Sequence, residues 1–160
     1  MSTVTVKIAD LQVAKSPDVL VTYALGSCIG ISMFDRLKRI GCLGHIMLPG
    51  DNGMDTSATP MKFATTCIPM MIDEMLKHGC AKAHIEAKIA GGASLVQFSN
   101  DSSLSNIGFR NSTMVKKVLF RSGIRIVAED TGKDYARTMY LDTDSGVVTI
   151  KSYVKGAYTL

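Results

Sequence analysis

The sequence predicts an α+β protein, with few helices packed on substantial sheet. Strand-like segments outnumber helical ones, only two amphipathic helical stripes are present, and turn residues punctuate the chain between them. The 160 residues are 46% hydrophobic and 20% charged. Those proportions suit one globular domain, expected to span residues 1–160, and they exclude wholesale disorder.

Residues 3–9 alternate in the manner of a strand, and residues 19–23 read as a second. Leu25-Gly26-Ser27-Cys28 interrupts with small residues before residues 29–34 resume as a strand. A polar turn at 35–39 leads to a strand over 40–48, and Pro49-Gly50 breaks it. Thr59-Pro60 predicts a helix start, with Thr as cap and Pro in the first turn. Ala64, Cys67, Ile68, Met71, Ile72, Met75 and Leu76 follow at helical spacing, and Gly79 ends the run. Pro69 lies inside it and predicts a kink or two short helices.

Residues 84–89 read as a strand entering Gly91-Gly92-Ala93, and a polar loop is expected over 97–106. A second helix is expected over 108–122, with Met114, Val115, Val118 and Leu119 as its buried stripe. Strands over 124–129, 135–141 and 147–152 close the chain, the last two joined by a hairpin turn at 142–146.

Composition narrows the function. The net charge of +4 is too small and scattered for a nucleic-acid protein. Lys116, Lys117, Arg121 and Arg125 read as a solvated helix face. No apolar run approaches the ~18 residues of a membrane span, so no membrane insertion is expected. The N-terminus lacks the pattern of a secretory signal, and a cytoplasmic protein is expected. The four cysteines form no Cys-x-x-Cys pair and only three histidines exist, so neither a metal site nor a disulfide framework is expected. No cofactor is expected.

One pair of residues suggests chemistry. If the strands around residues 28–34 and 40–48 pair through a turn centred near Arg36-Leu37, Cys28 stands opposite His45. Directly opposed side chains share a face, with Cβ atoms ~4.5–5.5 Å apart. A nearby imidazole lowers a thiol's pKa and makes it a nucleophile. The backbone of Gly26, Ser27 and Cys28 is placed to aim N–H groups at a developing oxyanion. Thr22 carries a hydroxyl able to bond a ring nitrogen, although by itself it reads as an ordinary strand threonine. Cys42 falls out of phase with His45, and Cys42, Cys67 and Cys80 read as structural. His78 at a helix end and His84 at a strand start read likewise.

Leu25-Gly26-Ser27-Cys28, Gly44-His45-Ile46-Met47-Leu48-Pro49, Ala87-Lys88-Ile89-Ala90-Gly91-Gly92-Ala93, Ile107-Gly108-Phe109-Arg110-Asn111 and Ala128-Glu129-Asp130-Thr131-Gly132 occur in this order. Together they resemble the CheD family of chemoreceptor glutamine deamidases, over residues 19–137. The resemblance implies mixed β-sheets packed as a sandwich with flanking helices, a cysteine-hydrolase fold like that of the cytotoxic necrotizing factor toxins. It implies Cys28 as nucleophile, His45 as general base and acid, and Thr22 as the residue orienting His45. The implied reaction converts glutamines of methyl-accepting chemotaxis receptors to glutamates. The implied partners are the receptor cytoplasmic domains and a CheC-type phosphatase.

Gly91 and Gly92 are expected to let backbone approach the site closely; a strand-end turn is an equally good reading of them without the resemblance. Arg110 and Asn111 are expected to border a substrate groove; helix capping and an exposed arginine are the plainer reading. The chain departs from the family pattern at Thr65, Pro69 and Lys133. Two alternatives stand beside deamidation. One is a receptor glutamate methylesterase using the same thiol, and the other is a regulator that binds receptor or phosphatase without catalysis.

Overall fold

The structure is a computed structural model that describes residues 1–94 and 106–160. The strands are β1 (Thr3–Thr5), β2 (Asp10–Lys15), β3 (Val19–Leu25), β4 (Ile29–Asp35), β5 (Ile40–Ile46), β6 (Ile85–Gly91), β7 (Arg125–Thr131), β8 (Arg137–Asp142), β9 (Val148–Ser152) and β10 (Gly156–Thr159). The helices are α1 (Ala64–Lys77), between β5 and β6, and α2 (Ile107–Arg121), between β6 and β7.

The strands form two five-stranded sheets, ordered β1-β3-β8-β9-β10 and β2-β5-β4-β6-β7. Both are mixed: β1 runs parallel to β3 and β6 parallel to β7, while the other pairs are antiparallel. One apolar core lies between the sheets, with Leu43 and Ala90 meeting Leu20, Leu25, Met139, Leu141 and Ile150. A second lies between the other face of the second sheet and the helices, with Ile31, Met33, Cys42 and Ile89 meeting Cys67, Ile68, Met71, Val115 and Leu119. The α+β class and the layered arrangement of sheets and helices stand as expected. No helix among the described residues is long and apolar enough to cross a membrane.

The three-layer arrangement explains the composition of β4. It is covered on both faces and buried along its whole length, so it reads as a nearly continuous apolar run rather than an alternating one. Both helices end in the same way. Gly79 (φ +89) and Gly123 (φ +75) adopt left-handed backbone, and the next residue's N–H reaches back to Met75 and Leu119. Those bonds close Schellman motifs and satisfy carbonyls the helix leaves unpaired.

Several expectations need correction. The Thr59-Pro60 start makes only a short 3₁₀ turn, Pro60–Lys62, and Thr59 makes no side-chain cap. Phe63 is extended because it bridges to Leu48. The α-helix therefore begins at Ala64, where the Leu48 and Pro49 carbonyls accept the first N–H groups at 3.0 and 3.2 Å. The helix then continues through Pro69 to Lys77. Residues 3–9 do not form one strand: β1 stops at Thr5, and left-handed Ala9 (φ +58) turns the chain into β2. Strands β2 and β10 lie at sheet edges, where half-exposed residues blur the alternation. The polar loop expected over 97–106 falls almost wholly outside the described residues.

The register of the β4–β5 hairpin also differs. Gly30, not Cys28, stands opposite His45. The turn spans residues 36–39, because Asp35 accepts the N–H groups of Leu37 and Lys38 through Oδ1, at 3.0 and 3.1 Å. That longer turn moves the pairing by two residues. Because side chains alternate with period two, the step changes the partner and leaves the face unchanged.

Candidate active site

Cys28 lies where the chain crosses from one sheet to the other. Strand β3 belongs to the first sheet and β4 to the second, and Gly26-Ser27-Cys28 spans the gap. A bulge after Thr22 and left-handed Ala24 (φ +59) turn the end of β3 toward the crossing.

Each carbonyl of this short segment is held from another element. Gly26 O accepts from Ala93 N at 2.8 Å and Cys28 O from Gly92 N at 2.9 Å. Ser27 O accepts from the Asn111 carboxamide at 2.9 Å. Gly91 explains the tightness of the packing. Its φ is +114, and a Cβ there would lie 2.2 Å from Cys28 O. The Gly91 and Gly92 pair therefore gives the close backbone approach expected of it. Arg137 reinforces the same point, reaching Gly91 O through Nη1 at 3.4 Å.

His45 lies on β5 and is fully buried. Leu43, two residues earlier, faces the core between the sheets, whereas Cys42 and Ile46 face the helices. His45 shares the face of Leu43 and points toward the first sheet, where Thr22 of β3 meets it. Its Nδ1 lies 2.7 Å from Thr22 Oγ1. The hydroxyl has one proton, and it donates that proton to the Val6 carbonyl at 2.8 Å. Toward the ring, Thr22 must therefore accept, and Nδ1 carries the hydrogen. In the neutral ring Nε2 is then a bare lone pair. That nitrogen is buried and has no partner among the described residues. Burial disfavours the cation and lowers the pKa of His45 to about 4.

The Cys28 side chain is half-buried and packs against the core between the sheets, on the same side of the second sheet as His45. It precedes Gly30, the partner of His45, by two residues and so takes the diagonal position, within reach of a long side chain. Burial pushes its thiol up from the ordinary value, opposed more weakly by a hydrogen bond from its own N–H. The expected depressed thiol is therefore not what the environment produces. Thiol and imidazole are both neutral at rest. Cys42, Cys67 and Cys80 are buried in the helix-side core. Burial pushes Cys67 to about 12 and Cys80 to about 11.

The remaining candidates separate. Gly26, Ser27, Gly91, Gly92 and Asn111 gather around Cys28. Asn111 does so from inside the protein, fully buried in the second turn of α2. The Arg110 side chain instead pairs with Asp51 at 3.4 Å, tying α2 to the loop after β5. Sequence reasoning missed Arg137, which is buried and bound to Asp130 at 3.0 Å. Asp130 also accepts from Tyr158 of β10. The available signal was an arginine in phase with core residues Met139 and Leu141.

Comparison with known proteins identifies relatives of this chain. A family model described as CheD chemotactic sensory transduction matches residues 47–152. The "Probable chemoreceptor glutamine deamidase CheD" of Clostridium novyi is 50% identical over 149 residues, covering 93% of this chain and 92% of the relative. That of Desulforamulus reducens is 47% identical over 147 residues, covering 92% and 89%. A crystal structure of a Neisseria meningitidis protein of family DUF152 aligns with a TM-score of 0.54 at 11% identity, covering 83% of this chain and 64% of that one. That likeness is one of fold alone. With such identity over nearly the whole length, the chain belongs to the CheD family.

Proposed function

We propose that this protein is a protein-glutamine deamidase acting on the cytoplasmic domains of methyl-accepting chemotaxis receptors, with Cys28 as nucleophile and His45 as base. The observation that carries the reading is the bare, buried Nε2 of His45, held in one tautomer by Thr22. The names of the relatives, chemoreceptor glutamine deamidases, supply the substrate class.

In the first half-reaction Nε2 takes the Cys28 proton as Sγ attacks the carboxamide carbon of the glutamine side chain. The carbonyl π pair moves to oxygen, and the backbone N–H groups of Ser27 and Cys28 stabilise the charge. The tetrahedral intermediate collapses. His45 returns the proton to the departing nitrogen, ammonia leaves, and a thioester remains. In the second half-reaction Nε2 takes a proton from water. The hydroxide adds to the thioester, and the Cys28 sulfur leaves and regains its proton. Glutamate is the product.

The neutral resting pair suits general-base attack, in which proton transfer accompanies bond formation. A receptor substrate places the protein in the cytoplasm. A CheC-type phosphatase, competing with the receptors for the same surface of this protein, is the further partner that family membership suggests.

The test is incubation with a receptor cytoplasmic fragment, reading ammonia release and Gln-to-Glu conversion by peptide mass. Both signals are expected, and both are lost in a folded Cys28→Ala protein. Release of methanol from a methylated fragment, without ammonia from the unmodified one, would replace deamidase by methylesterase. No change in either fragment would replace it by a binding role.

A further inference from the structure

We infer that Asn111 is a positioning residue whose carboxamide ties the segment carrying Cys28 to the chain leaving His45, and so sets where thiol and imidazole meet. The inference rests on the proposed roles of Cys28 and His45. Asn111 Nδ2 donates to Ser27 O at 2.9 Å and to Met47 O at 2.8 Å. Ser27 directly precedes Cys28, and Met47 follows His45 by two residues. Both hydrogens of one amino group therefore hold backbone beside the two reacting side chains. Both partners are carbonyls, which only accept, so the orientation of the carboxamide is determined.

Two further features separate a tie from simple packing. The Asn111 Oδ1 is buried without a partner among the described residues. A leucine would occupy similar space and bury no orphaned oxygen, so filling the volume does not call for asparagine. The platform is also rigid. Gly108, one turn earlier on α2, lies so close to the Gly92 and Ala93 carbonyls that a Cβ would come within 2.5 and 2.6 Å. Helix α2 thus rests on the same glycine turn that binds Cys28 O. It carries Asn111 at a fixed height over the gap between Ser27 and Met47.

The test compares Asn111→Leu and Asn111→Ser with the native protein, after thermal melts establish the folded fraction. The measurements are kcat and KM on a receptor fragment and the pH profile of Cys28 alkylation by iodoacetamide. A positioning role predicts a kcat about 100-fold lower with KM changed less than about twofold. It also predicts that alkylation slows across the neutral part of the profile, as the imidazole loses the alignment needed to take the thiol's proton. Native kcat and an unchanged profile in a folded variant overturn the inference, as does a loss that vanishes on correction for folded fraction. If neither variant folds, hydrogen exchange of the Asn111 side-chain N–H in native protein decides. Slow exchange supports the tie, and exchange at the rate of an exposed amide overturns it. Cys28→Ala is run in parallel. Its continued activity would defeat the nucleophile assignment, whereas a dead Cys28→Ala beside a fully active Asn111→Leu defeats only the tie.

Discussion

Thr22 Oγ1 and His45 Nδ1 meet at 2.7 Å across the two sheets, and the direction of that bond is set by a third group, the Val6 carbonyl. The relationship turns one hydroxyl into a tautomer selector. Removing it has a specific consequence. Thr22→Val keeps the shape but leaves Nδ1–H and Val6 O without partners, at a cost of about 1–3 kcal/mol each. Deamidation is expected to fall about 100-fold as the ring loses its orientation. Thr22→Ser keeps the hydroxyl and is expected to stay near native. Steady-state kinetics with urea melts check both.

The lowered pKa of His45 predicts a pH effect on stability. Above about pH 6.5 the ring is neutral in the folded and unfolded chains alike, and its contribution is intact. As pH falls from 6.5 toward about 4, the unfolded chain takes a proton that the folded protein refuses. Stability is then lost by about 1.4 kcal/mol per pH unit, roughly 3 kcal/mol across the window. Urea unfolding of native protein and His45→Gln at several pH values isolates this contribution; parallel curves would refute it. The same neutrality places the acidic limb of kcat/KM well below 6.5.

The cysteines are expected to divide in thiol-reactivity assays. Cys28 is half-buried, whereas Cys42, Cys67 and Cys80 are buried with thiols pushed upward. Native protein should show one reactive thiol near neutral pH, and denatured protein all four. The labelled residue, identified by peptide mass, should be Cys28.

Two glycines with left-handed backbone offer a paired test. Gly91→Ala places a methyl 2.2 Å from the Cys28 carbonyl, a backbone atom held by Gly92. Gly132 has φ +82, with none of the described residues within 4 Å of its Cβ position. The Gly132→Ala change is expected to cost about 1–2 kcal/mol from backbone strain alone. Gly91→Ala should cost about 3 kcal/mol or more. Thermal melts measure the difference, which is the close approach itself.

Lys133 predicts the opposite sign. It holds φ +65 on a lysine, and its carbonyl accepts from Ser94 N at 2.9 Å. Lys133→Gly removes the strain of a side chain in left-handed backbone and adds some unfolded-state entropy. A net gain of up to about 1 kcal/mol is expected. A lower melting temperature would show that the lysine side chain makes contacts worth more than the strain.

Much of this molecule was legible along the chain. Residues 29–34 and 84–89 read as strands, and Gly79 and Gly123 marked the helix ends, because these signals depend on near neighbours. Cys28 and His45 were legible as sharing one face of the sheet, because strand alternation preserves the face even when the register moves by two. The turn register itself was not, since it depended on Asp35 binding the N–H groups of Leu37 and Lys38. Thr22 could be read only as a strand threonine until β3 was placed over β5. The thiol's raised pKa followed from burial between the sheets, which no spacing records. Asn111 and Arg137 lie 83 and 109 residues after Cys28, yet both support the segment that carries it. Elements, faces and the candidate nucleophile belong to local patterning; tautomer, pKa and support are consequences of packing one sheet on another.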